Sequence, residues 1–344
     1  MTTVKYTFFL FLVGTSIFLS CTNNHEPLEP KVEVLESDQE FLVFGDSVFY
    51  DGVERFARSD ETFYVADKSA RIFRLNKNIQ LLGVIENIGR GPGEFTFVSD
   101  ISFSRDSLYV FSRSQAKIVV FDNKDQFIRE IPIEKFGGAR HMEVGQNGLI
   151  YLSTPFSDKP ITIFNSNGEK IKSFGEQTAD PEDFNVYRNE RILALHNDKL
   201  IAASPSDPLI WVYDLEGKLL YKLNIDHPKL ENRIAEIKDS YEKPSPQGGY
   251  MLVILFEDIT IHNDNLYVST VTRTENEPAP KYTLVLSYKI NDNGELIYTN
   301  EYELYRQNRN KRLSGVKIGL VQENKFLLYD LIDKTIHLFE DQEI

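Results

Sequence analysis

One cysteine, Cys21, stands among the 344 residues, so no disulfide within the chain can staple the fold and a buried core has to hold it. Tryptophan is equally scarce, with Trp211 alone, and methionine occurs three times. The longest apolar stretch, Tyr6 to Leu19, covers fourteen residues, short of the about 20 that a membrane-spanning helix requires. The six histidines (His25, His141, His196, His227, His262 and His337) are scattered, and none has the spacing of a zinc site. No Gly-x-Ser-x-Gly elbow occurs, and no spacing ties a serine to a histidine and an acid. Positive charge is short as well: 38 Lys and Arg face 52 Asp and Glu, a net charge of −14. Nucleic-acid affinity comes from cations that neutralise phosphates, so this balance speaks against a nucleic-acid binder.

What is present begins with an address. Lys5 is the only charge in the first twenty residues, and the apolar stretch ends in Ser20-Cys21. A basic start, a short apolar core and a small residue before the cut describe a secretory leader, expected to span residues 1–20. Phe18-Leu19-Ser20-Cys21 is similar to the lipobox of bacterial lipoproteins, in which the cysteine is lipidated and becomes the new N-terminus. That resemblance implies lipidation at Cys21, a flexible tether over 21–31 with Pro27 and Pro30, and a folded domain over 32–344. Loss of Lys5 with the leader takes the net charge to −15. Each buried methylene of an acyl chain contributes about 0.8 kcal/mol, so two or three chains make a durable membrane anchor. The expected location is the cell envelope, lipid-anchored to the outer membrane on its periplasmic or surface side.

Aromatic residues are plentiful, with 24 Phe and 17 Tyr, which favours strands. A polar turn followed by an apolar-aromatic-apolar triplet recurs as Phe63-Tyr64-Val65, Leu108-Tyr109-Val110, Ile150-Tyr151-Leu152 and Leu266-Tyr267-Val268. Leu200-Ile201-Ala202 and Phe326-Leu327-Leu328 are weaker copies. About a dozen residues after most copies comes a second strand ending in a bulky residue and a turn, such as Ile118 to Phe121 before Asp122-Asn123-Lys124. Asn, Asp and Gly accept the left-handed conformations that tight hairpins demand. A third strand follows the turn. Units of this kind cannot bury both faces alone and stack on their neighbours. The expected fold is therefore all-β: a six-bladed β-propeller of four-stranded antiparallel blades, a single domain over 32–344.

The sixth copy ends before an outer strand of its own. Strand-like residues at Glu40 to Phe44 and Ser47 to Tyr50 belong to no repeat, so an N-terminal strand is expected to complete the last blade and close the ring. A helical insertion is expected at about 226–243, with Asp226 as cap and Leu230, Ile234, Ile237 and Tyr241 on one face. Trp211 falls in mid-strand, where packing is the expectation.

The most distinctive string is Ile88-Gly89-Arg90-Gly91-Pro92-Gly93-Glu94-Phe95. With the lipobox and the six Tyr-centred repeats it resembles the six-bladed, TolB-like propeller lipoproteins of Bacteroidetes. The resemblance implies a fold and an envelope location and carries no activity. Its glycines permit an inter-blade turn or a nest of N–H groups for an anion, with Arg90 beside it. It is not a dinucleotide fingerprint, because strand-like Phe95 to Val98 follows where a helix is needed.

Candidate ligand-binding residues are Arg90, Arg140, His141, Tyr187, Arg188 and Arg312, basic or aromatic side chains leading into inner strands or sitting on inserted loops. Convergence of Arg90, Arg140, Arg188 and Arg312 at one mouth would select an anionic ligand or an acidic peptide. The leading expectation is a monomeric, non-catalytic binding or scaffolding propeller for a peptide, protein or glycan, without cofactor or metal. The alternative is a lactonase-like hydrolase with a divalent cation on the axis, as in gluconolactonase and paraoxonase propellers. Asp100, Glu143 and Glu257 precede strands where residues fall toward the axis and are its candidate acids.

Overall fold

Each apolar triplet centred on Tyr or an aliphatic residue becomes the second strand of a four-stranded antiparallel sheet. The structure is a computed structural model and describes residues 30–44, 48–59, 61–134, 138–180, 186–242, 253–274, 282–308, 312–322 and 325–340. Cys21 and the leader lie outside the described residues. Blade one pairs Arg55–Arg58, Thr62–Ala66, Ile72–Asn76 and Leu81–Ile85 in sequence order. The same meander repeats over 100–132, 142–174, 192–224 and 256–305, and blade six begins its own over 315–340.

The repetition extends to single hydrogen bonds. In the hairpin between third and fourth strands, Asn76 Oδ1 accepts from the amides of Asn78 and Gln80, and Asp122 Oδ1 from those of Lys124 and Gln126. Asn165 and Asp214 do the same in blades three and four, and Asn291 accepts from Glu295 in blade five. This turn needs one left-handed residue. Gly168, Gly217 and Gly294 supply it in three blades, while Ile79 and Asp125 adopt it without glycine at φ 61° and 66°. A register shift falls directly before the turn residue on the third strand in blades one to four, and two residues earlier in blade five.

Six clusters of buried apolar side chains lie between neighbouring blades, one at each seam of the ring, including the seam between blades six and one. Trp211 is fully buried at the seam of blades three and four, with the Arg191 guanidinium 4.3 Å over its ring.

Ring closure follows the expectation. Gln39–Phe41 pairs antiparallel with Thr335–Glu340 as the outer strand of blade six. Tyr50 latches this joint: its hydroxyl donates to the Phe41 carbonyl and accepts from the Ile336 amide at 2.8 Å. Lys31–Glu36 adds a strand the sequence did not announce, parallel to Leu296–Tyr305, as a fifth strand on blade five. It starts at Lys31, inside the stretch expected to be tether.

The insertion forms a 3₁₀ turn, Pro228–Leu230, running into helix α1, Glu231–Glu242. The cap is His227, whose side chain accepts from the Lys229 amide, and not Asp226. Leu230 and Ile237 are buried against blades four and five, with Ile234 and Tyr241 partly so. Among the described residues no helix is long and apolar enough to cross a membrane.

Candidate functional site

The innermost strand of each blade precedes the Tyr-type strand, and the six inner strands touch one another in turn around the axis. Counted back nine residues from Tyr64, Tyr109, Tyr151, Ile201, Tyr267 and Leu327, the chain places Arg55, Asp100, Met142, Ile192, Asp258 and Ile318 at equivalent positions. One residue earlier stand Glu54, Ser99, His141, Arg191, Glu257 and Lys317. The first set holds the groups that plug the axis. The second supplies most of the mouth above it.

Arg55 is the plug. Its guanidinium, buried in the centre of the ring, pairs with Asp258 of blade five, lies 3.2 Å from Asp100 of blade two and 3.8 Å from Glu143 of blade three, and donates to the Leu193 carbonyl of blade four at 3.3 Å. Asp258 in turn accepts from the Ile318 amide of blade six at 3.3 Å, and Asp100 from the Met142 amide of blade three at 2.8 Å. One side chain thus ties together strands from all six blades. Burial opposes its charge, but the attraction of Asp258, Asp100 and Glu143 outweighs that and raises its pKa. The converse holds for Asp100: burial favours the neutral acid, and Arg55 with His141 overcomes it and lowers the pKa. Glu143, with one oxygen 2.9 Å from the Ser102 hydroxyl, is pushed by burial up to about 7.

Above the plug opens a cavity of about 330 Å³ bordered by Glu54, Arg113, Arg140, His141, Glu190, Glu257 and Lys317, with Phe97 and Ser99. His141 lies 3.7 Å from Asp100 and 3.5 Å from Glu190, which is also 3.7 Å from Arg140. Burial works against the imidazolium, yet these two carboxylates hold the His141 pKa above its ordinary value. Burial likewise works against the Glu190 charge, and His141 with Arg140 holds that carboxyl below its own. Burial raises Glu54 and takes Glu257 up to about 7, only partly offset by Lys317. Among the described residues, Glu54, Arg113, Glu257 and Lys317 form no side-chain hydrogen bond or ion pair.

The expected binding residues divide. Arg140 and His141 border the mouth, and Tyr187 stands at its edge, its ring 5.4 Å from the Arg140 guanidinium. The other three do not converge with them. Arg188 pairs with Asp207 at 2.9 Å and covers the Tyr241 ring at 3.6 Å, fastening α1 to blade four. Arg312 is exposed and does not border the cavity. Arg90 is exposed on a loop whose amides are already taken: Gly91 N donates to Glu94 at 2.7 Å and Gly93 N to Glu130 at 2.9 Å. Lys117 pairs with Glu130 at 2.6 Å, and a Cβ at Gly89 would collide with the Glu94 carboxylate. The glycine string is therefore a self-capped inter-blade turn and leaves no nest for a foreign anion.

The four-arginine cluster is replaced by a mouth of mixed sign. Its missed members, Glu54, Arg113, Glu190 and Lys317, are unremarkable in a chain with so many charges. The signal that would have found three of these seven positions beyond His141 is the repeat register itself, because Glu54, Glu257 and Lys317 are equivalent by position.

Of the three expected axial acids, Asp100 and Glu143 gather, but around a guanidinium and with Asp258 as the third acid; Glu257, one residue earlier, borders the mouth instead. Asp100, Glu143 and Asp258 all face Arg55, which fills the place and supplies the charge that a dication would. This donor set does not fit a metal. Asp330, Asp333 and His337 also approach one another, and Arg306 pairs with both aspartates.

A closed ring of six four-stranded blades with a charged mouth on its axis defines a six-bladed β-propeller. The chain belongs to the DUF5128 family of 6-bladed β-propellers, which matches residues 41–244. No curated protein matches the chain. A Bacteroides fragilis protein described as exported is similar in structure at 11% identity, with TM-score 0.55, over 90% of this chain and 99% of that one. Streptogramin B lyase is similar at 13% identity and TM-score 0.51, over 88% and 96% of the two chains. The WD40 domain of Neurospora crassa Pan2 is similar at 11% and 0.51, over 86% and 90%. At these identities the likeness is one of fold alone.

Proposed function

We propose that the protein is an exported, lipid-anchored envelope propeller that binds a peptide, protein or glycan at its axial mouth and is not itself a catalyst. The mouth carries this reading: every blade sends at least one polar or charged side chain to a single cavity, from Glu54 on blade one to Lys317 on blade six, over a floor closed by Arg55. Groups so placed can orient a ligand. The polar residues there show no nucleophile held by a base, and the two unpaired acids, Glu54 on blade one and Glu257 on blade five, both feel the charge of Lys317 on blade six. Export and anchoring are supported by the leader, by the lipobox-like Phe18 to Cys21, and by the likeness to the B. fragilis protein described as exported.

Two measurements test this. Metabolic labelling with a palmitate analogue is expected to mark the protein and to fail for Cys21→Ala. A photo-crosslinking residue at position 99, in the mouth, is expected to capture a ligand from the envelope fraction that the same group at position 171, on an outer strand, does not. Equal capture at both positions, or none at 99, contradicts the mouth as the binding site.

A further inference from the structure

The charges of the mouth are of both signs, and the structure keeps several of them apart. Arg113 and Arg140 stand on blades two and three, and Glu257 stands on blade five, across the axis. Glu54 and Lys317 occupy the arc between them on blades one and six. Buried or half-buried charges that lack a partner are costly, and opposite charges in one small cavity would ordinarily collapse onto each other. Here none of Glu54, Arg113, Glu257 and Lys317 closes to an ion pair, although Lys317 attracts both carboxylates and Arg113 attracts Glu54. Arg113 lies on a 3₁₀ turn, Arg113–Gln115, whose frame is set by Gln115 donating to the Gly89 carbonyl at 3.0 Å. The Lys317 backbone pairs with Tyr329 in the ladder of blade six.

We infer that the mouth takes a short peptide with both ends free, its ammonium group toward Glu257 and Glu54 and its carboxylate toward Arg113 and Arg140. This rests on the mouth being the binding site. A zwitterion adds no net charge, so it can pair groups of both signs without disturbing the balance that Arg55, Asp100 and Asp258 set below. A cation or an anion alone would satisfy one arc and leave the other bare. An arginine pair suits a carboxylate because guanidinium presents a planar fork of donors to its two oxygens. A single amino acid carries both charges on one carbon and cannot address opposite blades, whereas a peptide extends by roughly 3.3–3.6 Å per residue. The volume of about 330 Å³ sits at the small end of ligand sites, which run from about 300 to 1,000 Å³. Ile254 and Glu257 also border a second cavity of about 590 Å³ between blades five and six, so a longer peptide has a course out of the mouth past Glu257.

Equilibrium dialysis of the full-length protein in detergent tests this, with bound compounds read by mass spectrometry. The probes are a pool of free tripeptides, the same pool N-acetylated, the same pool C-amidated, and chitotriose with maltotriose as neutral glycans. Retention of free tripeptides is expected, weakened at least about tenfold by either blocking group. Glu257→Gln is expected to weaken the free pool and to abolish its advantage over the acetylated one. Arg113→Gln is expected to do the same for the amidated pool. Both variants should stay folded: Arg113→Gln is expected to melt with wild type and Glu257→Gln no lower than wild type, since neither side chain has an ion-pair partner to lose and burial already opposes the Glu257 charge. Retention of the glycans alone, lost in both variants, overturns the peptide and keeps the mouth. Retention of blocked and free pools alike, unaffected by either variant, overturns both. No retention of any tripeptide overturns the peptide as well.

Discussion

Arg55 Nε lies 3.2 Å from an Asp100 oxygen, an ion pair that joins blade one to blade two on the axis with neither side chain open to solvent. With Asp258 on the far side of the ring, it makes one guanidinium the common neighbour of blades that are otherwise held together at six separate apolar seams. An interior charge cluster of this kind contributes geometric definition more surely than net stability, because desolvation offsets much of its attraction. Its loss is another matter.

Replacing Arg55 with Met leaves Asp100 and Asp258 buried without their cation, so Arg55→Met is expected to lower unfolding free energy by about 3–5 kcal/mol. Arg55→Lys is expected to recover only part of that, since a single ammonium cannot serve three carboxylates and a carbonyl at once. Urea denaturation of the two variants beside wild type gives the comparison.

A pH dependence follows from Glu257. A folded carboxyl raised to about 7 binds its proton more tightly than the unfolded one, so the native state loses stability as pH climbs from about 4.5 through about 7. Glu257→Gln removes that loss. The variant is expected to gain on wild type by on the order of 1–2 kcal/mol between pH 5 and pH 8, the scale of a one- to two-unit shift after solvent screening. Urea midpoints at the two pH values measure it, and a constant difference between the proteins would speak against a buried, unpaired carboxyl.

The latch at Tyr50 predicts where the ring opens. Tyr50→Phe removes the hydroxyl that serves both Phe41 and Ile336 and is expected to cost about 1–3 kcal/mol. Faster amide exchange should appear first in Thr335–Glu340, the strand that Gln39–Phe41 covers. Uniform acceleration across all six blades would contradict a localised seam.

The glycine string offers a fourth test. Gly89→Ala puts a methyl where the Glu94 carboxylate sits and displaces that flexible side chain from the Gly91 amide, so it is expected to destabilise by about 0.5–1.5 kcal/mol, the range of one lost hydrogen bond. Neither phosphate nor sulfate should protect the wild-type loop, because Glu94 and Glu130 already accept its amides. A saturable rise in melting temperature with phosphate, absent in Glu94→Gln, would reverse that assignment.

Divalent cations should leave the protein unmoved. A native-state ligand at 100 times its Kd adds about 2.7 kcal/mol, readily seen in a melting curve. Titration with Ca²⁺, Mg²⁺, Mn²⁺ and Zn²⁺ is expected to give no saturable shift, with Arg55 holding the axial position.

The fold was written along the chain because each blade repeats a local pattern. Alternating apolar residues choose strands, and Asn76, Asp122, Asn165, Asp214 and Asn291 each close a hairpin through their own neighbours in sequence. The apolar face at Leu230, Ile234, Ile237 and Tyr241 was legible for the same reason, since helical spacing is local. Closure by an N-terminal strand could be inferred from a last repeat that ends one strand short. The choice of Gln39–Phe41, and the parallel seat of Lys31–Glu36 on blade five, depended on which exposed edge lay within reach. The site was far less legible. Glu54, Arg113, Glu190, Glu257 and Lys317 come from five blades, and any one of them is an ordinary charge among many. Only the ring brings them to one mouth, and only the ring sets Arg55 between Asp100 and Asp258. The physical reason is range: hydrophobic period and turn chemistry act over a few residues, whereas pairing across the axis joins groups some two hundred residues apart, such as Arg55 and Asp258, whose nearness exists only after every blade is in place.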